Sequence, residues 1–498
     1  MLFSSWEFIV LFLPIAFIVY FFFNHRRMIV AGKSWLVLVS LFFYAYWDFR
    51  YLPLMLGSIF FNYLIGTRLA RSSEKDYIDF LGLRTKRRFV LFFGIASNVA
   101  FLGYYKYTDF LILNFNLFFG SQFNTYGIAL PLAISFFTFT QIVYLVDSYR
   151  GETARYDLLN YALFVTFFPH LIAGPIVHHH DIMPQFFSRW TWAIRYKNIM
   201  RGIFIFSVGL FKKVVIADTF SVWANAGFDG GIDLTFFSAW VTSLSYTFQL
   251  YFDFSGYCDM AIGCSLLFNI ALPINFNSPY QATDIQDFWR RWHITLSSFL
   301  RDYIYIPLGG NRGPEWRTCI NLLATFLLGG LWHGASWMFV IWGALHGMAL
   351  VIHRFWKKLE RPLPVWTAWL LTFLFVNFSW VFFRAKTMDD AWRVLRGMAD
   401  FRSVWGQPLI SSIPTSDLAW GGWLSDIIFK ITPLNIIGQI PYYLAIIFTF
   451  FIIFRKNSIE IVSGAIGRST PLIAASLFLV SMHFILSATS SVFLYFNF

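Results

Sequence analysis

Long apolar runs, broken by short basic or glycine-rich interruptions, set the pattern of this chain, and a helix needs about 20 mainly apolar residues to cross hydrocarbon. Runs that meet or approach this length lie at 6–24, 34–49, 51–67, 88–105, 129–146, 157–177, 202–217, 236–253, 258–273, 318–332, 336–354, 365–383, 440–454 and 471–489. They predict membrane-spanning helices. Several are short or interrupted by Gly and Pro, which predicts broken or re-entrant pieces, since irregular backbone at membrane depth must be buried in protein or wetted. The first run has no basic stretch before it and no small-residue cleavage pattern after it, so it reads as a retained span. TMDDAWRVLRGM (387–398) has the pattern of an amphipathic helix lying on a surface.

Composition strengthens this reading. The 498 residues are 58% hydrophobic, 22% aromatic and 13% charged, where soluble domains carry about 25% charged residues. The expected class is therefore an all-α polytopic membrane protein. The net charge of +12 comes from short clusters between apolar runs, which act as topology determinants and argue against a nucleic-acid surface. Arg26, Arg27 and Lys33, then the basic loop from Arg68 to Arg88, then Lys357, Lys358 and Arg361, and Arg455, Lys456 and Arg468 mark inner loops. Both termini and the loop 384–439 are then expected outside. Lys212, Lys213, Arg290 and Arg291 interrupt the pattern in the middle third, where no side is assigned. Cys258, Cys264 and Cys319 have neither metal-site nor disulfide-framework spacing.

Two stretches concentrate chemistry. In DIQDFWRRWHITLSSFLRDYIYIPLGGNRGPEWR (284–317), Phe288, Trp292, Leu296 and Phe299 form one apolar face of a single interfacial helix that carries His293 at the membrane boundary and ends at Pro307. The following LGGNRG reads as a tight glycine turn, with anion binding as the alternative. In LLGGLWHGASWMFVIWGALHG (327–347), glycines surround His333 and predict a weakened or broken helix. Were the stretch continuous, His333 and His346 would lie about 20 Å apart, and one compact site could not use both. His346 reads as packing. The run His178, His179 and His180 invites a metal reading, but no acidic or Cys partner has ligand spacing, and an interfacial loop is expected, with no metal assigned.

FWRRWHITLSSFLRDYIYIPLGGNR (288–312) followed by GGLWHGASW (329–337) resembles the paired signature of the membrane-bound O-acyltransferases (MBOAT). PLAISFFTFTQIVYLVDSYRG (131–151), FFPHLIAGPIV (167–177) and the terminal SVFLYFNF (491–498) resemble segments of the bacterial alginate O-acetyltransferase branch of that family. The resemblance implies one MBOAT domain over 1–498, with a catalytic core at about 129–354, an extracytoplasmic loop at about 384–439 and a C-terminal span and tail at 471–498. It implies a ring of transmembrane helices around a thin core, with a funnel or tunnel in which a cytoplasmic acyl donor meets an acceptor from the other side. His333 corresponds to the family's invariant histidine and His293 to its second, more variable polar position. His170 and His178 depart from the residues common at their positions.

The implied reaction is O-acetylation in the bacterial inner membrane. Acetyl-CoA is the expected donor substrate and no bound cofactor is expected. An extracytoplasmic polysaccharide is the expected acceptor, reached through a periplasmic SGNH-type acetyltransferase partner; peptidoglycan O-acetylation and a non-enzymatic transporter are the alternatives. Imidazole can accept the acceptor's hydroxyl proton and return it to the thiolate, which assigns His333 as general base and His293 as a second catalytic or orienting group. Arg290, Arg291 and Arg301 either attract donor phosphates or pair with lipid headgroups, Asp287 or Asp302. Tyr495 is either an acyl relay or an aromatic anchor at the interface.

Overall fold

In hydrocarbon every backbone N–H and C=O must be satisfied within its own segment, and the computed structural model of this chain is accordingly built from helices. It describes residues 1–71, 77–80, 83–153, 157–231, 233–404, 440–463, 467, 469–487 and 494. Among these, six helices are long and apolar enough to cross a membrane: Glu7–His25, Phe49–Arg71, Arg87–Phe119, Trp337–Lys358, Val365–Arg384 and Thr470–Ser487. The described strands, Tyr77–Phe80 and Leu83–Lys86, form one antiparallel hairpin.

The chain divides into two compact units, Met1–Phe206 with Met260–Ile274, and Ser207–Asp259 with Asn275–Phe498. In the first, α1 (Leu13–His25), α2 (Ile29–Ala45), α3 (Leu52–Arg71), α4 (Arg87–Phe119) and α5 (Ile134–Arg150) are followed by α6 (Leu158–Thr166), α7 (Phe168–Leu171) and α8 (His179–Phe187). Phe168 nests against Phe8, Phe12, Phe43 and Phe268. The polar groups point inward: Asn62 on α3 and Asn98 on α4 exchange amide hydrogen bonds of 3.1 and 2.7 Å, and Lys33 donates to Asn160 at 2.8 Å. Leu117 and Phe118, by contrast, are exposed. Apolar groups outside and paired polar groups inside are what a lipid solvent selects.

Helix α9 (Tyr196–Phe211) runs through a π-helical stretch, Lys212–Ala217, into α10 (Asp218–Asp229), and α11 (Phe236–Leu267) follows. The second unit continues with α12 (Ile285–Arg291), α13 (Ile294–Leu300), a π-helical stretch at Arg301–Tyr305, α14 (Glu315–His333), α15 (Trp337–Lys358), α16 (Val365–Arg384) and α17 (Met388–Ala399). Helices Ile440–Ile453, Ser458–Ser463 and Thr470–Ser487 complete it.

The helix boundaries correct several expectations. The runs 236–253 and 258–273 are not two spans, because α11 continues without a break to Leu267; Gly256 inside it allows close approach to the backbone of Gly209 and Lys213. Helix α4 extends to Phe119, well beyond 105. The run 157–177 is broken at Phe167, two residues before Pro169. Helix α17 forms as expected, with a capping box between Thr387 and Asp390. Its Arg393 donates to the carbonyls of Gly227 and Phe228, fixing it on the end of α10.

Candidate active site

The expected single helix through His293 is two. Helix α12 stops at Arg291, Trp292 is extended, and His293 takes a left-handed conformation at φ 43° before α13 begins. A non-glycine residue in that region costs about 1 kcal/mol or more and persists where the surroundings overdetermine it. Here the surroundings are the backbone of the segment Asn275–Asn277. Asn277 N–H donates to the Arg291 carbonyl at 2.9 Å, and Ile294 N–H donates to the Asn275 carbonyl at 3.0 Å. The break turns His293 inward, so it is fully buried. Its ring meets Phe254 edge-on at 4.8 Å and lies 6.0 Å from Trp332.

Hydrogen bonding fixes the protonation pattern of this ring. Oδ1 of Asn275 accepts from the backbone N–H of Thr295 at 3.2 Å and from its hydroxyl at 3.0 Å. A backbone N–H only donates, so this atom is the amide oxygen. His293 Nδ1, 3.1 Å from the same oxygen, therefore carries the hydrogen, and Nε2 carries the lone pair. With this tautomer Nε2 is the basic nitrogen of a fully buried ring.

His333 is the last residue of α14, and the chain breaks at Gly334 before Ser336 caps α15. The glycines on this hairpin serve helix packing: a Cβ at Gly330 would run into the carbonyl of Phe339, and one at Gly343 into that of Phe326. The His333 ring is boxed by Trp332 at 4.9 Å, Trp342 at 5.1 Å and Phe383 at 5.1 Å. Trp342 stacks in turn on Trp380 at 5.6 Å. Trp332 is thus the shared neighbour of His293 and His333, which the structure brings into one aromatic cluster.

The break also removes the premise that put His333 and His346 far apart. His346 contacts Trp342 at 4.8 Å, so both histidines border the same indole. Trp289 Nε1 donates to His346 Nδ1 at 3.2 Å, and His346 Nε2 lies 2.9 Å from the Ser379 hydroxyl, which itself donates to the Val376 carbonyl at 2.8 Å. His346 is a neutral Nε2–H tautomer with both nitrogens engaged. It joins α12, α15 and α16 and has no lone pair left for chemistry.

The arginines divide. Arg291 pairs with Asp287 at 2.9 Å and Arg301 with Asp302 at 2.7 Å, while Arg290 is exposed. LGGNRG is a turn, with Gly309, Gly310 and Gly313 at φ 116°, 55° and 124°, tied to α14 by Asn321 donating to the Gly310 carbonyl at 3.0 Å. Tyr495 lies outside the described residues. In the first unit His179 does not lie in a loop but opens α8. Its Nδ1 is 3.1 Å from Asp147 and its Nε2 3.0 Å from the Glu152 carbonyl. Asp147, His179 and exposed His180 bring one ligand atom each within 4.8 Å of one another, an acidic neighbour that spacing along the chain concealed. Both nitrogens of His179 are nevertheless engaged with oxygens.

Residues that sequence reasoning missed are Asn275, Trp342 and Trp380, and the partners of Lys212 and Lys213. The two lysines, unplaced by the apolar pattern, sit on the π-helical stretch. Lys212 pairs with Asp259 at 2.7 Å, and Lys213 with Asp218 and Asp253 at 2.7 and 2.8 Å. Two lysines inside an apolar run were the one available signal, since buried charge in a membrane protein requires an acidic partner.

Residues 135–388 match the sequence profile of the membrane-bound O-acyltransferase family. A peptidoglycan O-acetyltransferase of Helicobacter pylori is 46% identical over all of this chain and 98% of its own length. A Pseudomonas aeruginosa protein named "probable alginate O-acetylase AlgI" is 42% identical over 80% of this chain and 75% of its own. A teichoic acid D-alanyltransferase of Bacillus subtilis is 28% identical over 51% of this chain and 69% of its own. The chain belongs to the membrane-bound O-acyltransferase family and is a multi-pass membrane acyltransferase. That class leaves no room for the transporter alternative.

Proposed function

We propose that this acyltransferase takes acetyl from acetyl-CoA on the cytoplasmic side of the bacterial inner membrane and delivers it for O-acetylation of a polysaccharide outside. Among acceptors, the match over the full length of a peptidoglycan O-acetyltransferase favours peptidoglycan, where the alginate relatives align over four-fifths of the chain. Both termini then face outward, and a periplasmic acetyltransferase of the SGNH type completes the transfer.

In this reading the acceptor hydroxyl oxygen attacks the thioester carbonyl while its proton passes to His333. The C–S bond breaks, and the proton moves on to the thiolate to give free CoA. His293, its hydrogen fixed on Nδ1 by Asn275, offers Nε2 to orient the hydroxyl. Burial of both rings supports the reading, since a closed site keeps water from hydrolysing the thioester. The observation that carries it is the pair of buried histidines sharing Trp332, one of them held in a single tautomer. Arg290 is the arginine best suited to meet a donor phosphate. The hydroxyl of Tyr495 is the first acceptor, relaying acetyl to the partner.

The test is to titrate the purified full chain with acetyl-CoA and measure free CoA and acetylated acceptor. One CoA released per chain is expected without partner or polysaccharide, and further turnover only when both are added. Retention of the thioester under all conditions overturns the donor assignment, and undiminished transfer by Tyr495→Phe eliminates the relay.

A further inference from the structure

In the first unit the two nitrogens of His179 both face oxygens. Nε2 lies 3.0 Å from the carbonyl of Glu152, and Nδ1 lies 3.1 Å from Asp147 Oδ2. A backbone carbonyl only accepts, so Nε2 carries a hydrogen. The neutral ring then turns its Nδ1 lone pair towards a carboxylate oxygen, and two electron-rich atoms at that distance require a cation between them. The side chains of Asp147 and His179 are each 2% exposed, so bulk water does not screen the contact.

A proton would serve if only two groups met here, but the structure gathers more. One ligand atom each from Asp147, His179 and His180 lies within 4.8 Å of the others. Two donors on one tetrahedral zinc ion, each bonded at about 2.0 Å, stand roughly 3.3 Å apart. The edge between His179 and Asp147 already has nearly that length. Imidazoles that share such an ion have ring centres roughly 5 Å apart, and the His180 ring lies 5.7 Å from that of His179 and 5.2 Å from that of His178. His180 is the adjustable member. Its side chain is 60% exposed and lies 3.3 Å from Asp181, so rotation about its own bonds closes the remaining gap and leaves an ion a path from solvent.

We infer that Asp147, His179 and His180 form a site for a divalent transition-metal ion of the zinc type, with His178 placed to supply a fourth ligand. Carboxylate and imidazole donors suit zinc. Asp147 belongs to α5 and the histidines to the start of α8, while the Glu152 carbonyl in the loop between holds the Nε2 hydrogen and so leaves Nδ1 to the metal. The ion is a clamp on these elements. Spacing along the chain concealed it because 32 positions separate the carboxylate from His179.

Zinc titration of the full-length chain in lipid nanodiscs, stripped with a chelator and freed of any affinity tag, tests the site by calorimetry. One ion per chain is expected, with Tm rising as zinc is added. X-ray absorption of the loaded chain should show nitrogen and oxygen ligands at about 2.0–2.2 Å, imidazole among them. An absence of saturable binding leaves a proton between His179 and Asp147 and overturns the site, as does sulfur among the ligands. His180→Ala removes an exposed side chain and is expected to weaken zinc binding at least ~10-fold, while melting at the wild-type temperature in chelator. Asp147→Asn, which keeps an oxygen beside His179, should weaken it by as much or more. Wild-type affinity in both variants places the ion elsewhere and overturns the assignment.

Discussion

Histidine serves opposite purposes in two regions of this molecule. At the start of α8, His179 has Asp147 on one nitrogen and the Glu152 carbonyl on the other; the ring is a bracket between α5, the loop after it and α8. In the aromatic cluster of the second unit, His293 has the side-chain oxygen of Asn275 at Nδ1, and that bond decides which nitrogen is basic. His346, bordering the same cluster, behaves as His179 does, with Trp289 and Ser379 on its two sides. Residue type and burial are the same in all three. The kind of partner, and so the nitrogen left basic, separates a structural imidazole from one able to do acid–base work.

The largest test of this contrast is His333→Ala, expected to lower acetyl-CoA turnover by about 10² to 10⁴, the range of general acid–base catalysis. Turnover at the wild-type rate in a folded variant removes His333 from the mechanism. Asn275→Leu comes next. It frees the His293 tautomer, and kcat is expected to fall about 10- to 100-fold with KM for acetyl-CoA little changed; Asn275→Asp, which still accepts from Nδ1, should restore most of the loss. Equal damage by Leu and Asp would mean that Asn275 acts only in packing.

On the other side of the contrast, His179→Ala and His346→Ala should act on stability. Each leaves a buried partner unsatisfied, which costs roughly 1–3 kcal/mol, read as a lower melting temperature. Turnover per folded molecule should stay within a few-fold of wild type for His179→Ala, and a collapse there would erase the distinction between the regions. The smallest effect is expected at Arg301, exposed and paired with its neighbour Asp302, where such pairs contribute about 0–1 kcal/mol. Arg301→Gln should leave KM for acetyl-CoA unchanged, and a large rise would give that arginine the donor-binding role assigned to Arg290.

The membrane class and the helical fold could be read from run length alone, because lipid forbids unsatisfied backbone and so leaves few alternatives. The break at His333 was also legible, in the glycines around it. The break at His293 was not. Phe288, Trp292, Leu296 and Phe299 keep helical spacing straight through it, and the force that interrupts them is the backbone of Asn275–Asn277, a segment 18 residues from His293 that no local period can reveal.

The sequence, through run length and a family resemblance, determined that the protein is a helical membrane acyltransferase and that His293 and His333 are its candidate centre. Tertiary structure alone decided that both histidines share Trp332, that Asn275 sets the tautomer of one, that His346 is saturated, and that Asp147 meets His179. The physical reason is range. Hydrophobic periodicity is a property of consecutive residues, whereas a hydrogen bond or ion pair in a low-dielectric interior selects its partner by position in space, here across tens to hundreds of residues.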